Sequence, residues 1–138
     1  MIENASRLVV LDSNVISYIF HGSTQARYYL ERIRGLHPLI AFQTLEEIWY
    51  GAESGGWGER RRNQLAIFLS QYEVVYPDAQ MVEVCARLRG ERRRAGREIR
   101  VADAWVAATA LILNCPLASH DGDFADIPGM RLIRASAM

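Results

Sequence analysis

The sequence contains no lysine, and all 16 of its basic residues are arginine. This absence excludes P-loop NTPases, phosphoacceptor receiver domains and haloacid-dehalogenase phosphatases, because each of these classes uses a lysine in its site. The last two classes also place an aspartate after a first strand, as this sequence does with Asp12, so the missing lysine argues against both classes for that acid. Arginine is well suited to bidentate phosphate contacts.

Cysteine and long apolar runs are also scarce. The two cysteines, Cys85 and Cys115, lack metal-ligand spacing, which predicts small core side chains in a reducing cytoplasm. No apolar run reaches the roughly 18 residues that span a bilayer, and no signal-peptide layout opens the chain. The formal net charge is zero, which by itself argues neither for nor against a nucleic-acid partner. We therefore expect a cytoplasmic protein that does not bind membranes.

Half of the 138 residues are hydrophobic, enough for one domain over residues 1–138. Short apolar runs predict strands at residues 8–11, 38–42, 73–76, 117–118 and 131–133. Helical patterns occupy residues 15–20, 24–34, 44–54, 58–71, 78–96 and 101–113. The connections are too long for hairpins, so we predict an α/β fold with a parallel, roughly five-stranded sheet between two layers of helices.

The first strand stops at a single carboxylate, Asp12, followed by Ser13 and Asn14, which can turn the chain and cap the next helix. Asp12 should therefore lie at the carboxyl end of a central strand, where open α/β sheets bind ligands. A carboxylate in such apolar surroundings costs free energy unless it is paired, hydrogen-bonded or bound to metal. The alternative is an ordinary helix cap or Asx-turn.

Two later acids lie near the starts of predicted helices. Asp103 is in the first turn of a helix that is apolar nearly all round, although a partner for the helix dipole is the alternative. Glu47 stands three residues after Thr44, a spacing that also suits a structural capping box. Gly51, one turn beyond Glu47, would let another chain or a substrate approach closely.

The fourth predicted strand is followed by an acidic loop with two candidates. Asp121 is the preferred site acid and Asp123 the second, with a solvated acidic turn as the alternative. Ser119 can orient a neighbouring carboxylate or a metal-bound water. Clustered carboxylates repel one another and so require a cation, and ligation by oxygen alone favours Mg²⁺ or Mn²⁺ over zinc. Such a site is typical of phosphodiester hydrolysis with one or two metal ions.

The motifs that carry these acids are Leu11-Asp12-Ser13-Asn14-Val15-Ile16, Thr44-x-x-Glu47-Ile48-x-x-Gly51, residues 101–110, residues 117–124 and Ile127-Pro128-Gly129. In this order they resemble a PIN-domain ribonuclease, in particular the VapC-type toxins of type II toxin–antitoxin pairs. The resemblance covers nearly the whole chain. It departs from the family pattern at Ile48, where leucine is commoner, and in the acidic loop, where two acids compete.

The resemblance implies a homodimer with a parallel five-stranded sheet and Mg²⁺-dependent cleavage of tRNA, rRNA or mRNA, with Mn²⁺ as a possible substitute. The metal-binding, catalytic acids would be Asp12, Glu47, Asp103 and Asp121, with Ser13, Asn14 and Ser119 as polar supports and Asp123 as the alternative acid. It also implies an antitoxin that wraps the helices after the second strand. Two other interpretations stay open: a PIN nuclease of RNA maturation without an antitoxin, and a catalytically silent PIN-fold binding module.

Two further patterns in the sequence are candidate contacts for the RNA and for the antitoxin. Seven arginines fall within residues 87–100, and we take Arg92, Arg93, Arg94 and Arg97 as candidate RNA contacts, with a solvated helix face as the alternative. Three aromatic residues, Trp49, Tyr50 and Trp57, surround the third helix's glycine-rich end and could line a groove for the antitoxin. Core packing is the alternative for these rings.

Overall fold

The computed structural model describes residues 7–135, and within them five strands form one sheet in the order β3-β2-β1-β4-β5. The strands are β1 (Leu8–Leu11), β2 (His37–Ala41), β3 (Glu73–Val75), β4 (Leu117–Ala118) and β5 (Leu132–Ile133). All neighbouring strands pair in parallel. The predicted α/β class and its parallel five-stranded sheet are therefore confirmed. The ends of the predicted domain, residues 1–6 and 136–138, lie outside the described residues.

Helices connect the strands and cover both faces of the sheet. They are α1 (Ser13–His21), α2 (Thr24–Arg32), α3 (Phe42–Ser54), α4 (Glu59–Leu69), α5 (Ala79–Arg94) and α6 (Val101–Leu113). A single 3₁₀ turn, Gly122–Phe124, lies in the loop between β4 and β5. None of the helices in residues 7–135 is both long enough and apolar enough to cross a membrane.

The alternation of side chains along β1 divides the core into two layers. Val9 and Leu11 belong to the cluster that includes Val15 of α1 and Tyr29 of α2. Val10 points the other way and joins the cluster built with α6. Successive residues of a strand face opposite sides of the sheet, so this division is what a central strand buried on both faces requires.

Helix α6 is the most deeply buried of the six. Small residues along it, Ala104 and Ala108, pack with Met81 and Cys85 of α5. Both cysteines are buried and unpaired, and burial raises the pKa of the Cys115 thiol to about 11. The prediction that the cysteines act as core side chains is confirmed.

The strand order creates a crevice between β1 and β4. The chain runs from β1 outward to β2 and β3, then returns to place β4 on the other side of β1. At such a switch point the connections leave in opposite directions, and ligands bind outside the carboxyl ends of the two strands. The backbone N–H of Asp12 donates to the Ala118 carbonyl at 2.9 Å, which continues the pairing to the last residues before this crevice.

Candidate active site

Asp12 lies at the crevice as a buried carboxylate, only 5% exposed. One oxygen, Oδ1, accepts a hydrogen bond from the Ser13 backbone N–H at 2.8 Å, and Oδ2 accepts one from Ser119 Oγ at 2.7 Å. Asp12 is itself the N-cap of α1, as the alternative interpretation of Asp12 predicted, and Ser13 and Asn14, the other expected caps, lie inside the helix. The cap and the site acid are thus the same residue, because the cap position coincides with the end of β1.

Ser119 and Asn14 join the two sides of the crevice. Besides donating to Asp12, Ser119 Oγ accepts from the Asp121 backbone N–H at 3.0 Å. Asn14 Nδ2 lies 3.4 Å from Ser119 Oγ, and Asn14 Oδ1 accepts from the His120 backbone N–H at 3.0 Å. These bonds tie the start of α1 to the loop after β4. The side chain of Ser13 takes no part in them; its contribution is its backbone N–H.

Glu47 is not part of a capping box. Helix α3 begins at Phe42 with Ala41 as its N-cap, so Thr44 is already inside the helix, fully buried, and its hydroxyl has no hydrogen-bond partner in residues 7–135. Glu47, one turn further, is half-buried and lies close enough to Asp12 and Asp103 for their charges to raise its pKa. The structural alternative for Glu47 is therefore wrong.

The three acids form one electrostatic group. Burial is the main cause that raises the pKa of Asp12, and it prevails over the bonds from Ser119 and Ser13, which lower it. Burial also raises the pKa values of Glu47 and Asp103, and the negative charge on Asp12 raises both further. The arrangement therefore favours protonation or a bound cation over three bare carboxylates.

Asp121 lies closer to this group than Asp123. Asp121 caps the 3₁₀ turn, with its Oδ1 accepting from the Asp123 N–H at 2.9 Å. Its charge raises the pKa of both Asp12 and Asp103, whereas the charge of the exposed Asp123 affects Asp103 alone among the three acids. The structure thus places Asp12, Glu47 and Asp103 within range of one another's charge and Asp121 at their margin, while the metal-binding and catalytic roles of all four acids stay predictions.

The donor set suits a hard divalent cation, because it consists of carboxylate oxygens without sulfur or imidazole ligands. In residues 7–135 no three acidic, histidine or cysteine side chains converge tightly enough to enclose an ion by themselves. Mg²⁺ usually keeps several waters and is held by one or two carboxylates, so it does not need such an enclosure. Asp12 and Asp103 are the residues that would hold it, with Glu47 and Asp121 as further carboxylates beside them.

The predicted RNA-binding arginines differ from one another in the structure. The side chain of Arg92 is only 13% exposed and pairs with Asp126 at 3.2 Å, and Arg97 pairs with the same carboxylate. Arg93 and Arg94 are exposed on α5. Two of the four predicted contacts are therefore already engaged within the chain by an acid to which the sequence gave no role.

A second network, which the sequence did not indicate, supports the acidic loop from behind. The hydroxyl of Tyr29 is 2.9 Å from His120 Nδ1 and accepts a hydrogen bond from the Ala135 backbone N–H at 3.1 Å. Arg134 Nε donates to the His120 carbonyl at 3.0 Å. Tyr29 is fully buried in α2, about ninety positions from His120. Apolar periodicity predicts the burial of Tyr29 but contains no signal for a partner so distant in sequence.

A groove of about 350 Å³ extends from the acids between α1, α3 and α4. Glu47, Ser13 and Asn14 line it together with apolar residues, namely Ile16, Phe20, Ile48, Ala52, Trp57 and Leu65. Gly51 also lines it, and a Cβ there would meet no atom within 4 Å. Trp57 stacks on Phe20 at 5.9 Å, and the Arg61 guanidinium lies 3.7 Å from the Trp57 ring centroid.

The three aromatic residues that the sequence singled out are not all core residues. Trp57 is half-buried in the groove, Trp49 packs partly against the main core, and Tyr50 is 65% exposed. Core packing alone therefore does not account for them, and an interaction surface remains open for Tyr50 and Trp57.

A family sequence model described as "PIN domain" matches residues 9–130 of this chain. The chain therefore belongs to the PIN-domain family, which confirms the resemblance seen in its motifs. It is also similar to Ribonuclease VapC1 of Haemophilus influenzae (strain R2866), 26% identical over 118 residues that cover 83% of this chain and 87% of that protein.

Two further proteins are similar to this chain, one in sequence and one in fold. Ribonuclease VapC4 of Mycobacterium tuberculosis (strain ATCC 25618 / H37Rv) is 25% identical over 117 residues, covering 83% of this chain and 90% of that protein. Among solved structures, VapBC2 from Rickettsia felis bound to a DNA fragment from its promoter has a similar fold. Its TM-score is 0.82 at 24% identity, over 94% of this chain and 99% of that one.

Proposed function

We propose that this chain is a Mg²⁺-dependent endoribonuclease, the toxin of a toxin–antitoxin pair. The observation that carries the proposal is a buried acid, Asp12, at the carboxyl end of β1 beside the switch point, with Glu47 and Asp103 near enough for its charge to add to the effect of burial and raise the pKa of both. The relatives named Ribonuclease VapC support the same activity. Phosphodiester hydrolysis is the chemistry that a hard-cation site of this type promotes.

A bound Mg²⁺ would supply neutralisation of the charge on the phosphodiester and acidification of a water. The chain's own contribution begins with Asp12, whose two oxygens are fixed by Ser13 and Ser119 before any substrate arrives. Glu47 and Asp103 accept no side-chain hydrogen bonds within residues 7–135. Either carboxylate could therefore accept a proton from a water whose oxygen bonds to the phosphorus. The P–O3′ bond would break, and the departing 3′-oxygen would take a proton from solvent, which leaves a 5′-phosphate and a 3′-hydroxyl on the RNA.

The partner belongs to the same proposal. The groove that starts at Glu47 is apolar along most of its length and ends at the Trp57–Arg61 pair, so it suits an amphipathic segment of an antitoxin with an acidic end. We also propose a homodimer. Location in the cytoplasm and the RNA target stay predictions.

The decisive test is cleavage of total RNA by the purified protein with Mg²⁺, with Mn²⁺ and with EDTA, beside Asp103→Asn. We expect discrete fragments with metal and a loss of about a hundredfold or more in the variant, because it removes charge where the reaction needs it. Asp78→Asn is the matched control. Asp78 caps α5, its charge is not among those that shift the pKa of Asp12, Glu47 or Asp103, and asparagine caps a helix equally well.

Three outcomes would count against the proposal. Cleavage that survives in Asp103→Asn would mean a contaminant or a site elsewhere. No metal-dependent cleavage, from protein shown to be free of antitoxin, would indicate a silent PIN-fold binding module. Cleavage without toxicity in cells, and without a small partner gene nearby, would favour a PIN nuclease of RNA maturation.

A further inference from the structure

A cavity of about 500 Å³ lies between α5 and the start of α6. Arg89 and Arg93, four residues apart on one face of α5, line it together with Arg100, the N-cap of α6. Glu98 is the one acid in its lining, and the other lining residues are Ala86, Gly90, Ile99 and Val101. Three guanidinium groups against one carboxylate make this a positively charged concavity.

The pairing of the neighbouring arginines separates this set from the rest of the basic stretch. Arg87 pairs with Glu83 at 3.3 Å, while Arg92 and Arg97 pair with Asp126. Within residues 7–135, none of the three arginines that line the cavity forms an ion pair with a carboxylate. Three arginines that share one carboxylate, Glu98, itself unpaired in the described residues, keep an excess of positive charge, and an anion held between them relieves their repulsion.

Arg100 connects this cavity to the acids. It also lines an adjoining cavity of about 390 Å³, whose walls include Asp103 and Asp123. Its positive charge lowers the pKa of Asp12, Glu47 and Asp103, which shows that it lies near all three. A strand whose scissile phosphate meets the acids can therefore continue past Arg100 toward Arg93 and Arg89.

We propose that the cavity formed by Arg89, Arg93 and Arg100 is a binding subsite for backbone phosphates of the RNA strand, beside the scissile phosphate. This inference rests on the proposed nuclease function and deepens it. It replaces most of the set expected from the sequence: Arg93 remains, Arg92 and Arg97 serve to hold Asp126, and Arg94 lies outside the lining. Phosphates are favoured over peptide carboxylates because the subsite continues into a site for phosphodiester chemistry.

The test is binding of a short fluorescein-labelled oligouridylate in EDTA, so that affinity is measured without cleavage. Arg89→Ala/Arg93→Ala is compared with Arg27→Ala/Arg34→Ala, which removes two exposed arginines from the region of α2. Each phosphate contact to a single strand contributes a salt-dependence slope of about 0.7, equivalent to roughly fivefold in affinity near 0.1 M salt. We expect a loss of about 25-fold and a slope lower by about 1.4 in the first variant only.

Equal weakening in both double variants would reduce the subsite to diffuse attraction and overturn the proposal. Unchanged affinity and salt-dependence slope in Arg89→Ala/Arg93→Ala would also overturn the proposal. Displacement of the RNA by polyglutamate at matched charge concentration would overturn it as well, because it would indicate an acidic polypeptide as the occupant. Selective weakening supports the subsite even where the wild type cleaves no RNA with metal. In that case the proposed nuclease function fails and the phosphate subsite stands.

Discussion

Ser119→Ala tests whether the hydrogen bonds around Asp12 hold the site together. The hydroxyl is fully buried, donates to Asp12 Oδ2 at 2.7 Å and accepts from the Asp121 backbone N–H at 3.0 Å. Alanine at this position removes both bonds and leaves almost no cavity. Asp12 then keeps the Ser13 N–H and a long contact of 3.5 Å from Asn14 Nδ2.

The expected loss of stability is a sum of two effects. A hydrogen bond to a charged group contributes about 1.5–3 kcal/mol, and the Asp121 N–H that loses its acceptor adds about 1 kcal/mol. The free energy of unfolding should therefore fall by roughly 2.5–4 kcal/mol, and Tm by roughly 9–14 °C for a chain of this size. Guanidinium denaturation near neutral pH, followed by circular dichroism, measures the first quantity.

Ser54→Ala is the control, because Ser54 is exposed at the end of α3 and makes only a 3.4 Å contact with the Gly51 carbonyl. Its effect should stay within about 0.5 kcal/mol. A loss of the same small size in Ser119→Ala would refute the reasoning, since it would mean that Asp12 does not depend on Ser119. A large loss of stability with unchanged cleavage would separate the fold from the chemistry.

Two further predictions concern the same edge of the sheet. The folded-state pKa values of Asp12, Glu47 and Asp103 are raised above the ordinary values of 3.8, 4.5 and 3.8, so the folded chain binds protons more tightly there than the unfolded chain. The stability that these groups contribute is therefore lost as pH rises from the ordinary pKa values through the raised ones. In EDTA, Asp103→Asn should be more stable than the wild type at pH 7 but no more stable below the ordinary pKa. Denaturation at both pH values measures the difference, and a gain in stability that persists in acid would contradict the electrostatic cause. Gly51→Ala should stabilise α3 by about 0.8–1 kcal/mol, because the added Cβ meets open space, and should weaken capture of a co-expressed antitoxin, because the added methyl group narrows the groove. Thermal denaturation measures the first effect and co-purification the second. Unimpaired capture would mean that the antitoxin binds elsewhere.

The strands along the chain, and the acid that ends the first of them, could be predicted from local patterns. A short apolar run that stops at Asp12 is a strand signal whatever surrounds it. The length of the connections predicted parallel pairing, but the order of the strands across the sheet, which sets β4 beside β1, was not predicted. Asp12 could therefore be placed at the carboxyl end of a central strand before the structure was known, whereas its neighbours across the sheet could not.

The start of α3 shows where local patterns fail. Thr44 and Glu47 have the spacing of a capping box, but β2 runs directly into the helix, and the ring of Phe42 packs on Trp105 at 5.3 Å. The helix therefore begins two residues before Thr44, which is buried inside it. The pairing of Arg92 with Asp126, thirty-four positions away, was equally out of reach, because a charge run predicts a surface and not its partners.

The acids of the site are held unequally, and this difference has a consequence for catalysis. Asp12 has a donor on each oxygen, whereas Glu47 and Asp103 extend from α3 and α6, whose side chains belong largely to opposite core clusters. Besides burial and Asp12, the charge of Asp103 raises the pKa of Glu47, so the two helical carboxylates repel each other, and a cation between them would relieve that repulsion. With Asp12 fixed and the other two acids adjustable, Glu47 and Asp103 could shift toward a metal and a phosphate without any movement of the sheet. The hydrogen bond from Ser119 would then fix Asp12 as the reference point of the site.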